Sequence, residues 1–257
     1  MSRLLNKVAI ITGAASNPGL GHATAVRFAQ EGAKLVITDI DLVGLAAAEK
    51  ELVALGAEVL SMEQNVVDEG RWQEVIDAAV ERFGGLDVLV NNAGIAVLKP
   101  INEYTQADYN MQMDVNLRSV FLGCQKAVPA MKDSGGGSIV NISSIYGYKP
   151  SDVGHSAYSA SKHGVIGLSG SAAIDYAKDG IRVNTVCPGY CHSEMVDPAF
   201  EAQPELAKSV LNRHSATKRL GESDEAAEVM AWLCSDASSF VNGASLTVDG
   251  GTTARLY

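Results

Sequence analysis

The chain is predicted to be a single α/β domain with a Rossmann-like, doubly wound, seven-stranded parallel sheet and helices on both faces. Three observations predict it. Seven short runs rich in β-branched residues recur along the 257 residues. Stretches of helical periodicity separate most of them. Both flanks of most runs are apolar, as expected for strands covered by helices on both faces. A β-α-β-α order of this kind closes into a parallel sheet.

The expected strands are Val8–Thr12, Leu35–Thr38, Val59–Met62, Val88–Val90, Ser138–Ile142, Arg182–Val186 and Leu246–Val248. The expected helices are Ala23–Glu31, Leu42–Leu55, Glu69–Phe83, Ala107–Met131 and Ser159–Lys178, with a shorter one at Asp224–Cys234 opened by Ser223 as N-cap. No repeat, low-complexity tract or linker interrupts this order, so residues 1–257 are expected to form one domain. The least regular stretch, 189–221, holds Pro198 and Pro204 and a short helical pattern at Glu205–Arg213. Loops beyond strand ends are where α/β enzymes build substrate pockets, and this insertion is expected to be a substrate lid.

Composition excludes several classes. The formal net charge is −10 with no basic stretch, which argues against nucleic acid or an anionic membrane as partner. Met1–Asn6 carries no long apolar run or cleavage-like site, and no segment reaches the ~20 apolar residues of a membrane span, so a cytoplasmic protein is expected. The four cysteines, Cys124, Cys187, Cys191 and Cys234, lack a disulfide-framework spacing. Cys187, Cys191 and His192 lie close together, but no fourth ligand stands at a matching spacing. No metal is expected.

The chemistry-bearing residues fall after successive strands, at the carboxyl edge where open α/β sheets bind ligands. After the first strand comes Gly13-Ala14-Ala15-Ser16-Asn17-Pro18-Gly19-Leu20-Gly21, a turn whose glycines let backbone approach a pyrophosphate at a helix N-terminus. The second strand is followed by Asp39-Ile40. A carboxylate there accepts hydrogen bonds from the adenosine ribose and opposes a 2′-phosphate, since like charges ~4 Å apart cost roughly 4 kcal/mol at an effective dielectric of 20. No lysine or arginine lies in the glycine turn or directly after Asp39, so NAD is expected rather than NADP. Asn65-Val66 stands after the third strand, placed to cover the adenine, and Asn92-Ala93-Gly94 after the fourth, small enough to pass beside the coenzyme.

Ser144 follows the fifth strand, and Tyr158 precedes Lys162 by four residues, on one face of a helix. A tyrosine near pKa ~10 is a poor base at neutral pH, and a neighbouring ammonium and a positive nicotinamide favour its phenolate. Ser144 can donate to the substrate oxygen as charge develops. After the sixth strand come Pro188, Gly189, Cys191 and Ser193, where Ser193 is placed to hold the carboxamide. Tyr146, Tyr148, His155, Tyr190 and Met195 flank these loops and are expected to border the substrate, suggesting an apolar or ring-shaped body. A packing role for these aromatics, and a surface role for His155, stand beside that reading.

Together these motifs resemble the short-chain dehydrogenase/reductase family, in its compact single-domain branch, over nearly the whole chain from Lys7 to Gly251. The closing Phe240-Val241-Asn242-Gly243 and Val248-Asp249-Gly250-Gly251 belong to the resemblance. It implies an NAD-dependent enzyme interconverting a secondary alcohol and a ketone, with Tyr158 as acid/base, Lys162 tuning it and holding the nicotinamide ribose, and Ser144 orienting the substrate. It also implies that Asn116 supports a proton relay through Lys162, and that the protein forms a homotetramer.

Four departures stand out. Five residues rather than three separate Gly13 from Gly19, with Asn17-Pro18 as the apparent insertion. Asn65 replaces an aspartate and Ser193 a threonine. Ser144 precedes Tyr158 by 14 residues, one more than usual, which predicts a bulged loop at 145–157 and leaves Ser143 as the other candidate. Competing readings are an enoyl reductase, which shares a longer glycine turn but has a wider Tyr-to-Lys spacing, and a sugar-nucleotide epimerase, which adds a C-terminal domain. A non-catalytic dinucleotide-binding regulator on the same fold is the third.

Overall fold

A computed structural model describes residues 2–149 and 154–254. The strands are β1 (Val8–Thr12), β2 (Lys34–Asp39), β3 (Val59–Glu63), β4 (Val88–Asn91), β5 (Gly137–Ile142), β6 (Ile181–Pro188) and β7 (Ser245–Val248). They form one sheet in the order β3-β2-β1-β4-β5-β6-β7, every pairing parallel. The order reverses between β1 and β4, which opens a crevice above their carboxyl ends.

Side-chain alternation splits the interior into two layers. On one face Ala9 and Ile11 of β1 pack with Phe28, Leu52 and Met230, from α1 (Leu20–Gln30), α2 (Leu42–Ala54) and α9 (Ser223–Cys234). On the other, Val8 and Ile10 pack with Trp72, Met131 and Val165, from α3 (Glu69–Phe83), α5 (Ser119–Asp133) and α6 (Ser156–Tyr176). Both faces of the central strands are covered, which is why these strands read as largely apolar runs. Among the described residues no helix is long and apolar enough to cross a membrane.

Three features differ from the sequence expectation. The expected helix Ala107–Met131 is divided into α4 (Gln106–Met113) and α5 by a wider π-turn at Asp114–Arg118, which leaves hydrophobic periodicity nearly unchanged. Glu222, not Ser223, caps α9, through a reciprocal box with Glu225; the Ser223 hydroxyl instead donates to the His192 carbonyl at 2.6 Å. The insertion 189–221 holds two helices, α7 (Asp197–Ala202) and α8 (Pro204–His214), where one was expected. Its ends are tied at the root: Gly221 N–H donates to Tyr190 O and His192 N–H to Gly221 O, both at 2.9 Å.

Candidate active site

The crevice is a cavity of about 580 Å³ above the carboxyl ends of the strands. Gly13, Gly19, Leu20 and Gly21 line its floor. Gly13 has φ +69°, and a Cβ on Gly21 would lie 2.1 Å from the Gly13 carbonyl oxygen, so side chains here would break the turn. Gly19 caps α1 with no side-chain bond and no acidic residue follows in the first turn, so the free N–H groups face the cavity as an anion cradle. Asn17 is exposed and lies outside the cavity wall, contrary to expectation, because the longer turn swings it outward; Ser16 and Pro18 line the wall instead. The Pro18 carbonyl accepts a 3.0 Å bond from Glu194 N–H, so the extended turn touches the start of the insertion.

At one end stand Asp39, Ile40, Asn65 and Val66. The Asp39 carboxylate accepts from Ala15 N–H at 2.9 Å, Ile40 N–H at 2.7 Å and Asp41 N–H at 3.1 Å, which fixes its orientation. Asn92, Ala93 and Gly94 form the middle of the wall. The Asn92 amide is committed to the carbonyls of Thr12 and Gly13, both at 2.9 Å, so that side chain braces the glycine turn.

At the other end are Ser144, Tyr158, Lys162, Pro188, Gly189, Cys191 and Ser193. Ser144 hydrogen-bonds the Tyr158 phenol, whereas the Ser143 hydroxyl donates to the Lys162 carbonyl at 2.8 Å; of the two candidates, Ser144 faces the tyrosine. Residues 145–147 form a single 3₁₀ turn, and positions 150–153 of the loop expected to bulge lie outside the described residues. The Lys162 ammonium donates to Ile142 O at 2.9 Å and sits 5.7 Å from the Tyr158 ring centre.

Electrostatics here run opposite to the sequence expectation. Burial pushes the Tyr158 phenol up to about 12, against a smaller lowering by the Ser144 hydrogen bond. Burial likewise pushes Lys162 down to about 8, since removing water disfavours whichever form is charged. The protein alone holds a neutral phenol beside a reluctant ammonium. A positive charge bound in the cavity is what would favour the phenolate.

Asn116 is fully buried on the π-turn and outside the cavity wall. Its amide grips Ile95, accepting from N–H at 2.8 Å and donating to C=O at 2.9 Å, and donates to Ser161 Oγ at 3.3 Å. The side chain thus acts on the loop after β4 rather than on Lys162 directly.

Tyr146, His155, Tyr190 and Met195 all line the cavity beside Tyr158. The Tyr146 and Tyr190 hydroxyls are 2.5 Å apart, the Tyr146 and His155 rings are 4.8 Å apart, and Tyr146 meets Tyr158 edge-on at 6.4 Å. Burial lowers the His155 pKa, which favours neutral imidazole. Tyr148 does not join them: its hydroxyl reaches outward to Ser245 O at 2.8 Å. Sequence reasoning missed Ile95, Ala96 and Leu98, which follow the Asn-Asn-Ala-Gly turn, and Phe200, which the insertion folds against Tyr190 at 5.7 Å. All four cysteines are free and buried. Burial raises Cys187 and Cys191 to about 11, so neither offers a thiolate at neutral pH, and no group of three or more metal-ligating residues occurs among the described residues.

Comparisons with known proteins agree with this fold. Residues 13–253 match the family described as Enoyl-(Acyl carrier protein) reductase. The chain is 39% identical to levodione reductase of Leifsonia aquatica over 261 residues, covering 98% of this chain and 96% of that one. It is also 39% identical to cyclohexanol dehydrogenase of Acinetobacter sp. (strain SE19), with 97% and 96% covered. The crystal structure of levodione reductase superposes with a TM-score of 0.93 at 38% identity, covering 99% of this chain and 100% of that one. The family match, the 39% identity to two relatives and the TM-score of 0.93, each over nearly the full length, place this chain in the short-chain dehydrogenase/reductase family.

Proposed function

We propose that the protein is an NAD-dependent dehydrogenase/reductase that interconverts a secondary alcohol and its ketone, with Ser144, Tyr158 and Lys162 as the reacting group. The observation that carries the reading is the Tyr158 phenol bonded to Ser144 beside the buried Lys162 ammonium, at one end of a cavity whose other end holds Asp39. The coenzyme, when bound, would supply the hydride acceptor, whose nicotinamide ring is positive, or in its reduced, neutral-ring form the hydride donor.

The chain's own residues account for the rest. Gly19, Leu20 and Gly21 present backbone N–H groups to the pyrophosphate. Asp39 presents its fixed carboxylate to the ribose and repels a 2′-phosphate, with Ile40, Asn65 and Val66 flanking the adenine. Ala93, Gly94, Pro188, Gly189, Cys191 and Ser193 flank the nicotinamide half. For oxidation, Ser144 holds the substrate oxygen while Tyr158 takes its proton; for reduction, Tyr158 returns it. Lys162 favours the phenolate by charge and reaches the nicotinamide ribose. Asn116 serves this site by holding Ile95.

A substrate with a ring-shaped or apolar body fits the wall of Tyr146, His155, Tyr190, Met195 and Phe200, and one relative above is named for cyclohexanol. The insertion 189–221 acts as lid over that end. Alcohol oxidation is the proposed physiological direction. A homotetramer is the proposed assembly, supported by Phe121 and Ile174, which stand 49% and 81% exposed on α5 and α6. Four free cysteines suit a cytoplasmic setting. The family description raises the enoyl-reductase reading, against which stand the four-residue Tyr158–Lys162 spacing and the Ser144 contact.

NADH formation against a panel of secondary alcohols tests the proposal, with Tyr158→Phe as control. Turnover by the parent and at least a hundredfold loss in the variant are expected, with coenzyme affinity kept. A variant as active as its parent would remove the mechanism.

A further inference from the structure

The cavity wall from Ala93 to Leu98 leaves β4 without a strand partner, yet its backbone is gripped at alternate residues as a strand's would be. Asn116 binds both the N–H and C=O of Ile95. Gln112, one turn earlier on the same helix face, accepts from Val97 N–H at 2.6 Å, and the Tyr104 hydroxyl donates to Val97 O at 2.5 Å. Ile95, Ala96 and Leu98 line the cavity, so these bonds fix part of its wall.

Gln112 is fully buried, and its Nε2 has no hydrogen-bond partner among the described residues. A buried donor left unmade is costly, and an aliphatic side chain would fill the space without that cost. What an aliphatic residue lacks is the acceptor for Val97. We infer that Gln112 is a positioning residue: acting through Val97, it holds the Ile95–Leu98 wall and thereby sets KM for ring-bearing substrates without touching them. The inference rests on the proposed activity of this cavity.

Gln112→Met keeps the volume and removes the acceptor. Steady-state kinetics with cyclohexanol and 2-butanol, and NADH binding by fluorescence, separate the outcomes. The expected result is a rise of about tenfold in KM for cyclohexanol, since small misplacements of a binding wall are costly. KM for 2-butanol and the NADH Kd should stay within about twofold. Tyr104→Phe, which drops the bond to the carbonyl of the same residue, should reproduce the selectivity. Equal loss on both alcohols, a matching rise in the NADH Kd, or unchanged kinetics would each overturn the inference. Amide hydrogen exchange of the parent protein supplies a test that needs no variant. Val97 N–H should exchange at least about a hundredfold slower than an open-loop amide, and exchange at the open-loop rate would overturn the strut. A parent that oxidises no alcohol would count against the proposed activity, while Val97 protection reads the strut separately.

Discussion

Replacing Lys162 by methionine should destroy activity and make the coenzyme-free protein more stable. Lys162 is 4% exposed, and burial holds its pKa near 8 against an unperturbed 10.5. At 1.36 kcal/mol per unit, charged Lys162 destabilises the fold by about 3 kcal/mol at pH 7. Methionine is close in volume and carries no charge, but it forfeits the bond to Ile142 O, worth about 1 kcal/mol. The net gain is about 2 kcal/mol, or roughly 5 °C in Tm for a chain of this length. The sign can be followed with pH. Between 8 and 10.5 the folded state binds fewer protons at Lys162 than the unfolded state, so wild-type stability from this group rises with pH. The advantage of Lys162→Met should therefore be full at pH 7 and largely gone by pH 10. Differential scanning calorimetry of both proteins from pH 6 to 10, without coenzyme, measures it. A variant less stable than wild type at pH 7, or a difference that does not change with pH, would refute the account of a buried, strained charge.

Three further outcomes follow from the same structure. Asp39→Asn keeps one acceptor oxygen, enough for the amides of Ile40 and Asp41 but not for that of Ala15, and removes the charge; it should shift the NADP-to-NAD ratio of kcat/KM upward by about two orders of magnitude after screening. An unchanged ratio would mean that the carboxylate does not choose the coenzyme. Since burial pushes the Tyr158 phenol up to about 12, oxidation, which needs phenolate, should accelerate from pH 7 to 10, while reduction, which needs phenol, should stay nearly flat because the phenol remains protonated throughout; initial rates in both directions report this, and oxidation that declines over that range would contradict it. Lys218, exposed at the end of the insertion, holds φ +58°, where a side chain is strained; Lys218→Gly should raise stability by up to about 1 kcal/mol in urea unfolding, and a loss would show that its backbone is not under strain.

The order of strands and helices was legible in the sequence because it rests on local chemistry. Runs rich in β-branched residues mark the strands, with both faces buried in β1, β2, β4, β5 and β6, and 3.6-residue periodicity fixed α3 at Glu69–Phe83 without error at either end. Glycine spacing, an acidic residue after β2 and a Tyr-Lys pair four apart are likewise local patterns, so the residues flanking the cavity could be named before their positions were known.

Tertiary structure decided what depends on residues far apart in the chain. It set Ser144 rather than Ser143 against Tyr158, because a 3₁₀ turn and the start of α6 jointly fix which hydroxyl faces the phenol. It turned Asn17 and Tyr148 away from the cavity and brought Phe200 in, since insertions fold against whatever surface lies nearest. It also raised the phenol and lowered the ammonium, the reverse of what a neighbouring-charge argument expects. Spacing along a helix reports which groups meet, but the cost of charging them depends on how much water the rest of the fold removes.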